Sequence, residues 1–198
     1  MLEEKRENFK KISDLTGNIF SKPGLTANQY TLLSLFLAII VFYFLIKADF
    51  ILALLFFLLA ALLDFIDGSV ARFLKKETKK GAYLDTICDR YVEGIVLAGF
   101  LFLPLPDFFL PVSFWIFLAF FGSLMTTYAK AAAKEKELVS REMKRGFFGR
   151  PERIILISLA IFMGILNFSW IIYPIVILAI FSNITALQRI FLVFFYRC

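Results

Sequence analysis

Long apolar runs, separated by short polar or proline-containing breaks, dominate this chain and leave it few folds to adopt. About 20 apolar residues at 1.5 Å rise per residue cross the hydrocarbon core of a bilayer. Over such a length in lipid, a helix satisfies its backbone polar groups within itself. Six spans are predicted: Tyr30–Ile46, Phe50–Phe73, Ala82–Leu103, Pro111–Ala131, Ile154–Phe168 and Ile171–Phe195, with turns at Pro104–Pro106 and Asn167–Trp170. With 60% of its 198 residues hydrophobic, the chain has too little polar surface for a water-soluble domain of this length. The expected fold is all-α, a polytopic membrane protein with six transmembrane helices.

Charge sets the expected orientation. Lys5, Arg6, Lys10, Lys11, Lys75, Lys76, Lys79, Lys80, Lys134, Lys136, Arg141, Lys144, Arg145, Arg150 and Arg197 fall in segments on one side of the six spans. The opposite loops contain Lys47 alone among basic residues. The positive-inside rule then places both termini in the cytoplasm of a multi-pass cell-membrane protein. Within Leu2–Lys22, Phe9, Ile12, Leu15 and Ile19 follow one helical face, so residues 1–24 are expected to form a juxtamembrane amphipathic helix on the cytoplasmic surface. No cleaved signal peptide is visible in the charged start. No repeat or low-complexity linker interrupts residues 1–198, which read as a single domain.

Chemistry enters through residues that do not belong in lipid. Asp64 and Asp67 stand at i and i+3 near the cytoplasmic end of the second span, with Gly68 and Ala71 on the same face. Gly81, Asp85 and Asp89 follow at i, i+4 and i+8 as the third span begins. The linker Lys75–Lys80 is short, so the two helices are antiparallel neighbours whose acidic faces can meet. A membrane-embedded carboxylate costs about 2.5–3.5 kcal/mol on insertion scales. Asp64 precedes Lys75 by roughly 16 Å of helix, below the headgroups. Four carboxylates together also repel one another. A divalent cation removes both penalties, and an oxygen-only ligand set selects Mg²⁺, Mn²⁺ or Ca²⁺.

Capping or ion-paired aspartates are the plainer alternative, but Arg72 and Arg90 are two charges against four. Gly68, Ala71 and Gly81 leave space beside the acidic face for a bulky anion, with Arg72 as a phosphate clamp. The chain has no histidine, which excludes His-ligated metals and His-based acid–base chemistry. Cys88 and Cys198 have neither disulfide nor metal-site character. A cation transporter remains the non-enzyme alternative, although broken mid-membrane helices and repeated halves are not evident.

The spacing Asp64-x₂-Asp67-Gly68-x₂-Ala71-Arg72-x₈-Gly81-x₃-Asp85-x₃-Asp89 resembles the CDP-alcohol phosphotransferase motif at every fixed position. The resemblance covers the whole chain and implies a six-helix transferase that moves a phosphate-linked alcohol from a CDP-alcohol to a second alcohol, releasing CMP. It implies two Mg²⁺ or Mn²⁺ ions held by Asp64, Asp67, Asp85 and Asp89, with Asp89 also the base for the acceptor hydroxyl. By the same resemblance Asn28, Thr31, Gly68, Ala71, Arg72, Thr78 and Gly81 contact the CDP donor. The Asn28–Thr31 segment departs from the family in having Ala27 where relatives carry proline. A homodimer is implied as well; membrane lipid is the expected surrounding, and no nucleic-acid partner is expected.

Acceptor choice is read from the second half. Thr127 and Lys130 close the fourth span, Arg150 and Arg153 open the fifth, and Arg189 lies in the apolar sixth. An arginine at that depth is costly unless it is paired or functional. Such a basic set suits an anionic polyol phosphate, although Lys130 also suits interfacial snorkelling. These segments resemble the inositol-phosphate synthase branch of the family, with Thr127 in place of serine and Lys130 in place of arginine. Inositol 1-phosphate is therefore the expected acceptor and CDP-diacylglycerol or CDP-archaeol the expected donor. Glycerol 3-phosphate as acceptor and CDP-inositol as donor stay open.

Overall fold

The computed structural model describes residues 2–139 and 146–195, with side chains from Ile12 onward. Of the residues used above, Arg141, Lys144, Arg145, Arg197 and Cys198 lie outside the described residues, as do the side chains of Lys5, Arg6, Phe9, Lys10 and Lys11. The described residues form seven α-helices: α1 Leu2–Ser21, α2 Ala27–Ile46, α3 Phe50–Phe73, α4 Lys79–Phe100, α5 Val112–Glu135, α6 Arg150–Leu166 and α7 Ile172–Phe195. A 3-10 turn, Phe168–Ile171, leads into α7. Among the described residues there is no β-strand.

Among the described residues four helices are long and apolar enough to cross a membrane: α2, α3, α5, and α7 with its 3-10 lead. This is a membrane protein. The two other expected spans are helical but different in kind. Helix α4 carries Lys79, Lys80, Asp85, Asp89, Arg90 and Glu93, and α6 is 17 residues long.

Helix ends follow local chemistry rather than the edges of apolarity. Expected at Ala82–Leu103, the third span is helical over Lys79–Phe100, because the Thr78 hydroxyl accepts from the Gly81 N–H at 3.0 Å and caps the helix upstream. At its far end Pro104 and Pro106 bar α-conformation in the residues before them. Helix α6 begins at Arg150, ahead of the expected Ile154, with Pro151 in its first turn. There Glu152 accepts from the Gly149 N–H at 2.8 Å.

The chain divides into two compact units. The first, residues 1–43 and 55–96, holds α1 and most of α2, α3 and α4. Its core includes Tyr30, Ile66 and Val70, with Phe20 and Leu63 packed against them. Helix α1 meets α3 through small residues. A Cβ on Gly17 would stand 2.5 Å from Phe73 Cβ and 2.7 Å from the Ser69 carbonyl oxygen, so only glycine permits this approach. Tyr30 fixes the corner after α1 by donating to the Phe20 carbonyl at 2.8 Å. Ile12, Leu15 and Ile19 are exposed.

The second unit, residues 44–54 and 97–198, is built on α5, α6 and α7. Helix α5 packs chiefly on α7, and Asn183 joins them by donating to the Leu118 carbonyl at 2.9 Å and the Ala179 carbonyl at 2.8 Å. Gly122 makes room for that amide, since a Cβ there would sit 2.5 Å from Asn183 Nδ2. Small residues and polar side chains of this kind are the usual glue between membrane helices.

Candidate functional site

The acidic face of α3 begins with Asp64 and Asp67, one turn apart, and α4 brings Asp85 to them. One carboxylate oxygen from each of the three lies within 4.8 Å of the others. Asp67 is the most enclosed, 6% exposed, and its Oδ2 accepts a 2.6 Å hydrogen bond from the Thr31 hydroxyl of α2. Three hard oxygen ligands at this separation, in a low-dielectric surround, fit a divalent cation. Asp89 is not part of this group. It stands one turn further along α4, its side chain 11% exposed and 3.9 Å from Arg90 Nη2. Arg90 is itself paired with Glu93 at 2.8 Å.

Beside the carboxylates opens a cleft of about 190 Å³. Its walls include Asp67 and Asp85 together with Asn28, Thr31, Gly68, Ala71, Arg72, Thr78 and Gly81. Every residue expected on the donor side thus borders one space, while Asp64 contributes to the carboxylate group without lining the cleft. Space here depends on missing side-chain atoms. A Cβ on Gly81 would come 3.1 Å from both Asn28 Oδ1 and Thr78 Oγ1, and one on Gly68 would come 3.1 Å from Arg72 Nη1. Thr78, Gly81 and Ala82, at the capped start of α4, line the cleft.

Sequence reasoning missed Ala27, Lys76, Glu77 and Ala82, which line the same cleft. Lys76 had a visible signal in its sequence neighbourhood to Arg72, but its charge was read as topology. Glu77 carried no signal.

The residues expected on the acceptor side all belong to the second unit. Arg153 is buried at 3% exposure, and Thr127, Lys130 and Arg150 are half-buried. Arg189 donates from Nη1 to the Thr126 carbonyl at 2.6 Å. It lies against Gly146, where a Cβ would meet its Nη2 at 3.0 Å, and the neighbouring Phe147 N–H donates to Gln188 at 3.2 Å. The late arginine is therefore drawn toward the segment that opens α6.

Known proteins resemble this chain in sequence and in fold. The chain is 34% identical over 139 residues to a bifunctional IPC transferase and DIPP synthase of Aquifex aeolicus, a match covering 67% of this chain and 31% of that longer protein. It is 30% identical over 192 residues to the archaetidylinositol phosphate synthase of Pyrococcus horikoshii, covering 96% and 95% of the two chains. Its fold is shared with the phosphatidylinositol phosphate synthase of Mycobacterium tuberculosis. That enzyme with CDP-DAG bound superposes with a TM-score of 0.78 at 23% identity, covering 93% and 94% of the chains. Its complex with manganese and citrate gives 0.79 at 24%, covering 92% and 89%. The model of the CDP-alcohol phosphatidyltransferase family matches residues 24–193, a range that contains every carboxylate and cleft residue described above; the chain belongs to that family.

Proposed function

We propose that this protein is a membrane enzyme of phospholipid synthesis, transferring a phosphatidyl or archaetidyl group from a CDP-lipid to inositol 1-phosphate and releasing CMP. The convergence of Asp64, Asp67 and Asp85 beside a cleft walled by glycines and Arg72 carries the transferase part of this reading. The acceptor part is supported by the Pyrococcus relative, whose name states that product and which matches along nearly its whole length.

Asp64, Asp67 and Asp85, with Asp89, are the residues that would hold Mg²⁺ or Mn²⁺, two ions in this proposal. Bound there, the ions supply charge neutralisation on the diphosphate oxygens. Asn28, Thr31, Gly68, Ala71, Arg72, Thr78 and Gly81 bind and orient the CDP part, Arg72 by hydrogen bonds to phosphate oxygens. Asp89 accepts the proton of the attacking acceptor hydroxyl. The freed oxygen forms a bond to the phosphorus that bears the lipid alcohol. The bond from that phosphorus to the bridging oxygen breaks, and the oxygen leaves with CMP. No covalent enzyme intermediate is needed. Thr127, Lys130, Arg150, Arg153 and Arg189 bind the anionic acceptor.

The finer architecture belongs to the same proposal. Helices α4 and α6 complete six spans, both termini are cytoplasmic, α1 lies on the cytoplasmic membrane surface, and residues 1–198 act as one domain within a homodimer. Exposure of Ile12, Leu15 and Ile19 supports the surface placement of α1.

The test is a transfer assay on purified protein in detergent, with CDP-diacylglycerol, CDP-archaeol and CDP-inositol each offered to phosphorylated and free alcohols. CMP release with inositol 1-phosphate and a CDP-lipid is the expected result. Preference for glycerol 3-phosphate would change the acceptor and keep the class. Turnover restricted to CDP-inositol would change the donor. Absence of any CMP-forming reaction would remove the enzyme reading.

A further inference from the structure

The guanidinium of Arg72 is held by the N-terminal helix. Its Nε and Nη2 both donate to Ser13 Oγ, at 3.3 and 3.1 Å, and Nη2 makes a longer 3.4 Å bond to Ser69 Oγ. Ser13 donates in turn to Ser69 Oγ at 3.2 Å, and Ser69 donates to the Phe65 carbonyl at 2.9 Å. Each hydroxyl has one proton. The proton of Ser69 is taken by Phe65 and that of Ser13 by Ser69, so the Ser13 oxygen turns its lone pairs to the arginine. The chain of bonds therefore has one direction, from Arg72 through Ser13 and Ser69 to the backbone of α3. Ser13 is 4% exposed and Ser69 fully buried, so water does not readily replace either partner.

Anchoring uses one edge of the guanidinium fork. The remaining nitrogen, Nη1, is turned toward Gly68, the residue whose missing Cβ leaves it 3.1 Å of clearance at the cleft wall. Ser13 lies 59 residues before Arg72 and outside residues 24–193, the range matched by the family model.

We infer that Ser13 is a positioning residue for donor binding: from α1 it fixes the Arg72 guanidinium so that its free edge meets the diphosphate of the CDP donor. This rests on the reading of the cleft as the donor site. Helix α1 is then part of the binding apparatus, and Gly17 sets its reach, because any side chain there collides with Phe73 and the Ser69 carbonyl and lifts α1 from α3.

The experiment uses the full chain in detergent and two readouts: calorimetric binding of CDP in the presence of Mn²⁺, and kinetics with CDP-diacylglycerol as donor. Ser13→Ala should raise the Kd for CDP and the KM for the donor about tenfold, as for loss of hydrogen bonds to a charged group. Its kcat should stay within about twofold, and its Mn²⁺ affinity should not change, because a mispositioned clamp affects ground-state donor binding. Gly17→Ala should reproduce the rise without touching either hydrogen-bonding group. In an Arg72→Ala background both changes should become silent, which a purely structural role for α1 would not produce. Normal CDP affinity in Ser13→Ala overturns the inference, as do additive effects in the Arg72→Ala background. Normal CDP affinity in Arg72→Ala itself overturns the donor reading of the cleft, and the inference with it.

Discussion

Thr31 donates a 2.6 Å hydrogen bond to Oδ2 of Asp67, and both side chains are buried. The same hydroxyl lies 3.1 Å from the Ala27 carbonyl one turn back in α2. A hydroxyl has one proton, and the carboxylate is the stronger acceptor, so Thr31 holds an oxygen of the proposed metal site in place as well as lining the cleft. Thr31→Val keeps the shape and removes the donor. Mn²⁺ affinity should fall by roughly tenfold, the usual scale when a group that hydrogen-bonds a metal-ligating side chain is removed. Calorimetric Mn²⁺ titration of the two proteins measures it, and an unchanged affinity would leave Thr31 with a donor-side role alone.

The carboxylates should separate into two behaviours. Asp64→Asn, Asp67→Asn and Asp85→Asn each remove a charge from the group whose oxygens converge within 4.8 Å, so each should lose Mn²⁺ binding and turnover together. Chelation of the wild-type protein should do the same. Asp89 lies outside that group, and Asp89→Asn should retain more CDP binding while kcat falls about 10²–10⁴-fold, the usual contribution of a general base. Full turnover in excess chelator would sink the metal reading. Near-normal kcat in Asp89→Asn would sink the base assignment alone.

Gly81 tests the cleft itself. A Cβ at this position already meets Asn28 and Thr78 at 3.1 Å, and Gly81 lines the cleft, so a longer side chain competes with the donor for space. Gly81→Leu should therefore raise the CDP-donor KM strongly and leave a monodisperse protein by size-exclusion chromatography. Gly68→Leu should behave alike, with Arg72 Nη1 displaced. If both variants bind CDP normally, the glycines serve helix packing only.

How far these features were visible beforehand depended on how local their causes are. Helix α3 was placed at Phe50–Phe73 at both ends from its apolar run. Helix α4 was misplaced by three residues at each end, because its start is set by a threonine cap and its stop by prolines rather than by hydropathy. The meeting of Asp64, Asp67 and Asp85 follows from i, i+3 spacing on one helix and a short link to the next. The same spacing places Asp89 one turn beyond Asp85 on α4, beside the three carboxylates whose oxygens converge within 4.8 Å. The link from Ser13 to Arg72 joins two remote segments through single hydroxyls, and no spacing rule announces it.

Arg189 carries the last prediction. It sits in α7 among Ile184, Leu187, Ile190, Phe191 and Leu192, and its Nη1 is spent on the Thr126 carbonyl of α5. A guanidinium at membrane depth is costly unless it is paired or functional. A phosphate on the acceptor is recognised by a planar guanidinium through charge-assisted hydrogen bonds, a geometry that a lysine cannot copy. Arg189→Lys should therefore raise the KM for inositol 1-phosphate at least about tenfold, the scale of losing charge-assisted hydrogen bonds, while CDP affinity stays unchanged. Arg153→Ala should act in the same direction. Both variants should also discriminate less between inositol 1-phosphate and free inositol, because the lost contacts are those to phosphate. A structural role for the Thr126 contact predicts something different: lower thermal stability in detergent and equal losses with both acceptors. Kinetics with the two acceptors at saturating donor, run beside a thermal-stability measurement, separate the outcomes. If free inositol is the better substrate of the unmodified protein, the phosphate pocket is wrong and the carboxylate site is untouched.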